Sequence, residues 1–295
     1  MTRLDAACDV DRFDRFDGEG AMPHDELVAR IAGKQALVST VTEAIDRAVI
    51  DAATDLRVIA NVGVGYNNID VAAARARGII VTNTPDVLTD ATADFTMALI
   101  LAVTRRLGEG ERMVRRGAWK GWALDQLLGM QLGGRQLGIV GPGRIGRAVG
   151  TRAEAFGMTV VHTTRSGGMP LDRLLSTSDV VSLHVPLTPE TKHLIGQPEL
   201  ARMKRTAFLI NTTRGPVVDE AALAWALKNH LIAGAALDVY EREPEINAEL
   251  MTMENVVLAP HLGSATMETR TAMADLAARN AIAVVTGQPP LTPVP

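Results

Sequence analysis

Three side chains that can bind anions or transfer protons follow predicted strands in the second half of the chain. Arg214 ends a strand in "FLINTTRGPVVDEAAL", Glu243 follows one in "GAALDVYEREPEI", and His261 follows one in "NVVLAPHLGSAT". Open α/β sheets bind their ligands beyond the carboxyl ends of their strands. Taken singly, Arg214 and Glu243 could be surface charges and His261 could satisfy a loop carbonyl. Their shared placement is what indicates a functional site.

A glycine-rich turn upstream of these residues has the form of a dinucleotide-binding site. The stretch "LGIVGPGRIGRAVG" places Gly141, Gly143 and Gly146 between a predicted strand and a predicted helix. The first glycine allows a tight turn, the second lets a pyrophosphate approach the backbone, and the third lets the helix pack on the sheet. The N–H groups of Arg144 and Ile145 then suit phosphate oxygens. Glycine turns also occur for packing alone, but this strand–turn–helix context favours a bound cofactor.

The stretch "VVHTTRSGG" indicates which cofactor such a site prefers. The end of the second strand commonly carries an acidic residue that accepts from the ribose hydroxyls, and here that position is Thr164. An acidic group would repel a 2′-phosphate, and Thr164 removes that repulsion. Arg165 adds a fixed positive fork and Ser166 a further donor. We therefore favour NADP(H), with NAD(H) possible; in the alternative interpretation Arg165 is a solvated loop residue.

Short apolar runs alternate with helical patterns, which predicts parallel sheets with right-handed crossovers. A first series has strands at 35–40, 56–62 and 79–83, and a second has six, at 137–140, 158–162, 180–185, 207–212, 233–239 and 256–260. Six strands in this rhythm predict a complete doubly wound nucleotide-binding domain. One long helix is predicted over 90–116, and a final helix over 267–285 should return to the first domain.

Composition excludes several classes of function. A chain of 295 residues with 47% hydrophobic content has room for two folded domains. A net charge of −4 argues against capture of nucleic acid or an anionic membrane. No apolar run reaches the roughly 18 residues of a membrane span, and the first 20 residues lack the apolar core of a signal peptide. With Cys8 as its one cysteine, the protein is expected in the cytoplasm. No residues have metal-ligand spacing, so no metal is expected.

These features together resemble the D-specific 2-hydroxyacid dehydrogenase family. The resemblance runs from about Gln35 to the final helix and includes "NVGVGYNNID", "VTNTPDVLTDATADFTMALIL" and "HVPLTPETKHLIG". It implies an α/β fold of two Rossmann-like domains with the active site in the cleft between them. A doubly wound, parallel-sheet cofactor domain, 85–264, is inserted into a smaller flavodoxin-like substrate domain, 1–84 and 265–295.

The same resemblance implies roles for particular residues. Arg214 binds the carboxylate of a 2-keto acid and polarises its carbonyl, a task that suits a planar bidentate donor. His261 donates a proton to the carbonyl oxygen as hydride arrives from the nicotinamide, and Glu243 pairs with it, favouring the imidazolium. Backbone N–H groups of Val62, Gly63 and Val64 take the substrate carboxylate. Further cofactor contacts are implied at Val185, Pro186, Thr191, Thr212, Thr213, Asp238, His261 and Gly263.

Within the family, "RRGAWKGWALDQLLGMQLGGRQLGIVG" resembles the glyoxylate/hydroxypyruvate reductase branch. That branch implies a small 2-keto acid substrate, NADPH and a homodimer in which Trp122 reaches the partner's active site. Core packing is the alternative for Trp119 and Trp122. Two other functions stay open: a dehydrogenase of phosphoglycerate or another D-2-hydroxyacid that uses NAD, and a nucleotide-sensing, corepressor-like interaction protein.

One feature departs from the family pattern. The family's first domain normally opens with a strand and helix that precede the region matching 1–13. That strand is not evident here, so the chain either starts late or uses its first residues as a substitute sheet edge.

Overall fold

A computed structural model describes residues 2–13 and 22–295 of the chain. The chain divides into two units, the smaller comprising Met1–Leu88 and Thr266–Pro295 and the larger Thr89–Ala265. Within the described residues, no helix is long and apolar enough to cross a membrane.

The helices are α1 (Thr2–Ala7), α2 (His24–Arg30), α3 (Arg47–Ala52), α4 (Val71–Ala76), α5 (Thr89–Thr104), α6 (Leu107–Arg115), α7 (Arg144–Ala155), α8 (Leu171–Thr177), α9 (Gln197–Arg202), α10 (Glu220–Lys228), α11 (Ala248–Thr252) and α12 (Met267–Val285). The strands are β1 (Ala36–Ser39), β2 (Val58–Asn61), β3 (Ile80–Thr82), β4 (Gln136–Val140), β5 (Thr159–Thr164), β6 (Gly167–Gly168), β7 (Val180–Leu183), β8 (Phe208–Asn211), β9 (Gly234–Leu237) and β10 (Val256–Leu258).

The smaller unit is built on a parallel three-stranded sheet of order β1-β2-β3. One face of this sheet packs on α12, where Val58 and Ala60 meet Ala277 and Ala281. The other face packs against a second apolar cluster that contains residues of α2, α3 and α4. Burial on both faces explains why β2 is fully buried along its length.

The first described residues do not supply a substitute sheet edge. Thr2–Ala7 form the helix α1, which packs against α12. Leu4 joins the apolar cluster beneath α12, so this segment contributes to the core through a helix. The prediction that the first residues form a substitute sheet edge is therefore wrong for residues 2–13.

The larger unit contains a seven-stranded sheet of order β10-β9-β8-β7-β4-β5-β6. The six predicted strands run parallel to one another, and the two-residue β6 adds an antiparallel edge beside β5. Strand order reverses at β4, which pairs with β5 on one side and β7 on the other. The expected doubly wound α/β arrangement is confirmed, and the glycine-rich turn leaves β4 at its switch point.

The single long helix predicted over 90–116 is wrong: the chain forms α5 and α6 with a break between them. The Thr104 carbonyl accepts from the Met130 N–H, so the returning segment caps α5 where the helix would continue. Arg106 then adopts a left-handed conformation with φ 53°. Half of α5 is buried against its neighbours, whereas α6 has no buried residue. The helix α5 thus ends where the chain no longer has a buried face.

The stretch "VVHTTRSGG" forms a hairpin. Strand β5 continues to Thr164, and β6 pairs back on it with Thr163 opposite Gly168 and Thr164 opposite Gly167. Gly168 has φ 87°, a conformation that suits glycine. Arg165 and Ser166 therefore occupy the two-residue turn of a defined hairpin.

His184 follows the end of β7 and is partly buried, with its Nε2 2.8 Å from the Ser182 hydroxyl. Burial lowers the pKa of His184 from 6.5 to about 4. The neutral imidazole is thus the form that the folded protein favours. Because the unfolded chain binds more protons between these two values, stability should be complete above pH 6.5 and fall as the pH drops toward 4.

When the pH falls from 7.5 to 5, we expect the lowered pKa of His184 to reduce the free energy of unfolding by about 2 kcal/mol. Urea unfolding at the two pH values measures this loss of stability. In His184→Asn the difference in unfolding free energy between the two pH values should be smaller by the same amount. His230→Asn is the control, because His230 is exposed and its φ of 52° is one that asparagine tolerates. An unaltered pH dependence in His184→Asn would contradict the assignment.

Candidate active site

The structure brings Arg214, Glu243 and His261 together at the carboxyl edge of the larger sheet. His261 Nδ1 lies 2.9 Å from Glu243 Oε2, and each side chain is about one-third exposed, 33% and 34%. A carboxylate only accepts, so Nδ1 carries the proton in this bond. The carboxylate thus orients the imidazole ring, which is what a histidine in acid–base catalysis requires.

The charges at this site reinforce one another. Partial burial by itself would raise the pKa of Glu243, but the hydrogen bond and charge of His261, the Tyr240 N–H and the charge of Arg214 outweigh it and lower the pKa. Burial lowers the pKa of Arg214, and the charge of Glu243 opposes that effect. An arginine remains protonated in proteins. The site therefore presents an ionised carboxylate beside a fixed guanidinium.

Arg214 is positioned by Asn211, the last residue of β8. The Asn211 amide donates to the Arg214 carbonyl at 3.0 Å and accepts from the Thr213 N–H at 3.1 Å. Arg214 itself donates from Nη1 to the Thr213 carbonyl at 2.7 Å. Asn211 is 1% exposed, so this clamp lies inside the fold. Sequence reasoning missed Asn211, although an asparagine at a strand end before a glycine turn is a local signal.

Gly215 lets the turn after Arg214 meet the loop that carries Glu243. A Cβ at Gly215 would lie 1.8 Å from the backbone carbonyl of Tyr240 and 2.4 Å from the Glu241 nitrogen. The two segments therefore pack backbone on backbone, which only glycine permits here. This contact fixes how closely Arg214 and Glu243 approach.

His261 is positioned by Asp238, which follows β9. The Asp238 carboxylate accepts from the N–H groups of Leu262 at 2.6 Å and Gly263 at 2.8 Å, and its carbonyl accepts from the His261 N–H at 2.9 Å. Asp238 is fully buried; burial raises its pKa despite these two backbone donors. Three bonds to one residue hold His261 in its left-handed conformation, φ 55°.

The glycine-rich turn has the geometry that a pyrophosphate needs. Gly141 has φ 91°, and a Cβ at Gly146 would lie 2.5 Å from the Gly141 carbonyl, so the helix packs directly on the turn. A Cβ at Gly143 would meet nothing within 4 Å, which leaves this face open. Helix α7 begins at Arg144, followed by Ile145, and N–H groups in a first helical turn lack intrahelical acceptors. The residues present therefore fit a dinucleotide.

The hairpin after β5 carries a carboxylate neighbour that the sequence did not indicate. Thr164 uses its hydroxyl to donate to the Gly167 carbonyl at 2.8 Å, and Ser166 lies in the turn. Arg165 Nη2 lies 3.6 Å from Glu190 Oε2, and both side chains are largely exposed. A hydrogen bond from Thr188, and then the Arg165 charge, lower the pKa of Glu190. Arg165 thus lies in the turn after β5 and pairs there with the Glu190 carboxylate.

The other expected cofactor residues lie in the loops that follow β7, β8, β9 and β10, on the same sheet edge. Thr213 donates from its hydroxyl to the Val185 carbonyl, and Thr191 donates to the Pro186 carbonyl at 2.6 Å. The Thr212 hydroxyl lies 3.1 Å from that of Thr96. Gly263 packs against Asp238, whose Oδ2 lies 3.2 Å from where a Cβ would stand. These bonds order the loops around the glycine turn.

In the smaller unit, the expected carboxylate loop follows β2. The Val62 N–H donates to the Ser39 carbonyl at 2.8 Å, so the sheet already uses it. Among the described residues, no acceptor is recorded for the N–H groups of Gly63 and Val64. Asn61 donates to the carbonyls of Gly63 and Gly65, at 3.4 and 3.0 Å. The Val62 N–H is thus already used by the sheet, whereas the carboxylate contacts of Gly63 and Val64 stay predictions, in a loop held by an asparagine that the sequence did not single out.

The tryptophans that follow α6 are not core residues of this chain. Trp122 is 81% exposed and Trp119 56% exposed, so the core-packing alternative is wrong. Among residues 2–13 and 22–295, no group of three or more His, Cys, Asp or Glu side chains is placed to hold a metal ion.

Comparison with known proteins identifies the family. Residues 97–263 match the family model described as the D-isomer specific 2-hydroxyacid dehydrogenase, NAD binding domain. The chain is 50% identical over 285 residues to the glyoxylate reductase of Thermococcus litoralis, covering 92% of this chain and 86% of that protein. A crystal structure of a Thermus thermophilus protein superposes with a TM-score of 0.92 at 45% identity and covers 100% of this chain and 97% of that one.

A third similar protein was solved with a ligand. It is the NADPH-dependent glyoxylate/hydroxypyruvate reductase of Sinorhizobium meliloti in complex with NADP and malonate, with a TM-score of 0.82 and 38% identity over 90% of this chain and 87% of that one. The expected family and its two-domain Rossmann fold are confirmed. The chain therefore belongs to the D-isomer specific 2-hydroxyacid dehydrogenases and is an NAD(P)-dependent oxidoreductase.

Proposed function

We propose that the enzyme reduces a small 2-keto acid, glyoxylate or hydroxypyruvate, to the 2-hydroxy acid with NADPH as hydride donor. The observation that carries this proposal is the His261–Glu243 pair, 2.9 Å apart, on the sheet edge that also bears Arg214 and the glycine turn. Relatives named glyoxylate reductase support the substrate class. The reaction needs one proton and one hydride, and the first has an identifiable source in this site.

Bound NAD(P)H supplies the hydride. Arg214 binds the substrate carboxylate and polarises the keto oxygen through its planar fork. His261 delivers a proton from Nε2 to that oxygen as negative charge develops on it. Glu243 holds the opposite ring nitrogen, which aims Nε2 at the substrate. In the oxidative direction the same histidine accepts the proton.

The proposal gives the two units different tasks. The larger unit holds the cofactor through the glycine turn and the loops at the ends of β7 and β8. The N–H groups of Gly63 and Val64, in the loop after β2, are proposed ligands for a carboxylate. Their short spacing suits a small anion, and glycine lets the main chain approach it.

NADPH is proposed over NADH because Thr164, Arg165 and Ser166 stand where an acidic residue would exclude a 2′-phosphate. The S. meliloti reductase, solved with NADP, supports this preference. The ion pair between Arg165 and Glu190 opposes this preference only weakly, since exposed pairs are worth little and phosphate is the stronger ligand for arginine.

A homodimer is part of the proposal. Large apolar side chains are exposed on α6 and the segment after it: Leu107, Val114, Trp119, Trp122, Leu124 and Leu128, at 56–81%. Exposed apolar clusters of this kind mark protein–protein contacts. The role of Trp122 toward a partner's site and the cytoplasmic location stay predictions. A phosphoglycerate dehydrogenase or a corepressor-like protein would show a different pattern of turnover.

The proposed activity is tested by initial rates with glyoxylate, hydroxypyruvate and larger 2-keto acids. His261→Gln should lower kcat by about 10²- to 10⁴-fold, because the oriented proton donor is lost. NADPH affinity, measured by its fluorescence, should change little. His24→Gln, a substitution in the smaller unit, is the matched control. Tight cofactor binding without turnover of any keto acid would favour the interaction-protein alternative, and near-normal kcat in His261→Gln would remove its assigned role.

The cofactor proposal is tested by the ratio of kcat/KM with NADPH to kcat/KM with NADH. Arg165→Ala should lower that ratio about tenfold, since one charge-assisted contact to phosphate is lost. Arg173→Ala removes an exposed arginine from the same unit and should leave the ratio unchanged. A parent enzyme that prefers NADH, or a ratio unmoved by Arg165→Ala, would exclude the phosphate contact.

A further inference from the structure

Glu220 is a buried carboxylate that the proposed mechanism does not use. It is the first residue of α10 and only 7% exposed. The N-terminus of α10 is capped by Asp219, which accepts from the Ala222 N–H at 2.9 Å. The helix therefore does not depend on the Glu220 side chain for its cap, and burial of a carboxylate requires other partners.

Those partners are two backbone N–H groups on either side of Glu243. Glu220 Oε1 accepts from the Glu241 N–H, and Oε2 accepts from the Asn247 N–H at 3.3 Å. The first lies two residues before Glu243 and the second four residues after it. One side chain thus spans the loop that carries the carboxylate partner of His261.

The contact between Glu220 and Glu241 is reciprocal. Glu241 Oε2 accepts from the Glu220 N–H at 3.4 Å, and Glu241 Oε1 lies 2.6 Å from His193 Nε2. The His193 N–H in turn donates to the Pro216 carbonyl at 2.7 Å. The loop with Glu243 is therefore tied to α10 and to the turn that follows Arg214.

This tie bears directly on the geometry of Glu243. Glu243 Oε1 accepts from the Tyr240 N–H at 3.0 Å while Oε2 meets His261. The N–H of the next residue, Glu241, is the one that Glu220 holds. Two consecutive N–H groups thus donate to two different carboxylates, those of Glu243 and Glu220. A rotation of this peptide segment would change both hydrogen bonds.

We propose that Glu220 is a positioning residue that sets the Glu243 carboxylate against His261. The inference rests on the proposed role of the His261–Glu243 pair in proton donation. Glu220 touches neither substrate nor cofactor in this scheme; it acts through the backbone of the Glu243 loop. A carboxylate suits both contacts because it offers acceptor oxygens in two directions, whereas glutamine offers one acceptor and one donor and can keep one of the two bonds.

Kinetics of Glu220 variants test the proposal. Glu220→Ala should lower kcat by about 10- to 100-fold, because a small displacement of a catalytic group has effects of this size. Glu220→Gln, which retains one acceptor, should recover much of that loss, and NADPH affinity should stay the same in both. Glu249→Ala, which removes an exposed carboxylate from α11, is the matched control and should behave as the parent.

A double-mutant cycle separates positioning from general support of the fold. If Glu220 acts through Glu243, then Glu220→Ala in a Glu243→Gln background should change kcat by less than about threefold, since coupled residues are not additive. Equal effects in both backgrounds would overturn the proposal, as would a kcat unchanged in Glu220→Ala alone.

A spectroscopic measurement removes the dependence on activity. In protein labelled with ¹⁵N-histidine, the downfield Nδ1–H resonance of His261, assigned by its loss in His261→Gln, reports the bond to Glu243. Glu220→Ala should move it upfield or abolish it, Glu220→Gln should shift it less, and Glu249→Ala should leave it in place. Should the parent reduce no 2-keto acid, the proposed function fails while this resonance still decides the inference. An unmoved resonance in Glu220→Ala overturns the inference even if kcat falls in that variant.

Discussion

The larger unit depends on one constraint, the parallel alignment of six strands whose carboxyl ends meet at a single edge. Residues that are far apart in the chain come together because each follows the end of a different strand: the glycine turn after β4, Arg214 after β8, Glu243 after β9 and His261 after β10. Order reversal at β4 opens the edge where its two neighbours diverge. The chemistry of the site is thus a consequence of strand direction before any side-chain contact is considered.

A parallel sheet orients its strands but leaves the loops beyond them to be fixed by buried polar groups. Asn211 clamps the turn before Arg214, Asp238 takes the N–H groups after His261, and Glu220 takes those on either side of Glu243. Asn61 has the equivalent task in the smaller unit, where it holds the carbonyls of the Gly63 loop. Each of these four residues is at most 7% exposed. A buried polar group without a hydrogen bond costs on the order of 1–3 kcal/mol. Once these side chains are buried, their hydrogen bonds to the loops are therefore strongly favoured in free energy.

Cofactor discrimination has a different physical character from the rest of the site. The glycine turn is set by close backbone packing, whereas Arg165 stands on an exposed hairpin where solvent screens its charge. Glu190 competes for that charge from a separate loop. The proposed preference for a 2′-phosphate would therefore be a balance of weak surface interactions, which a few substitutions could alter while the core of the fold stays intact.

The sequence determined the α/β class, the six parallel strands, the glycine turn and the three residues after strand ends, because period and glycine placement are local properties. It did not determine the break between α5 and α6, which comes from a hydrogen bond between Thr104 and Met130, or the hairpin that presents Arg165. The sequence also could not show that the Val62 N–H donates to the Ser39 carbonyl, or that Glu190 lies beside Arg165. Tertiary structure alone decided these points, and above all the support of Glu243 by Glu220, since hydrogen bonds between distant segments leave no periodic trace in the chain.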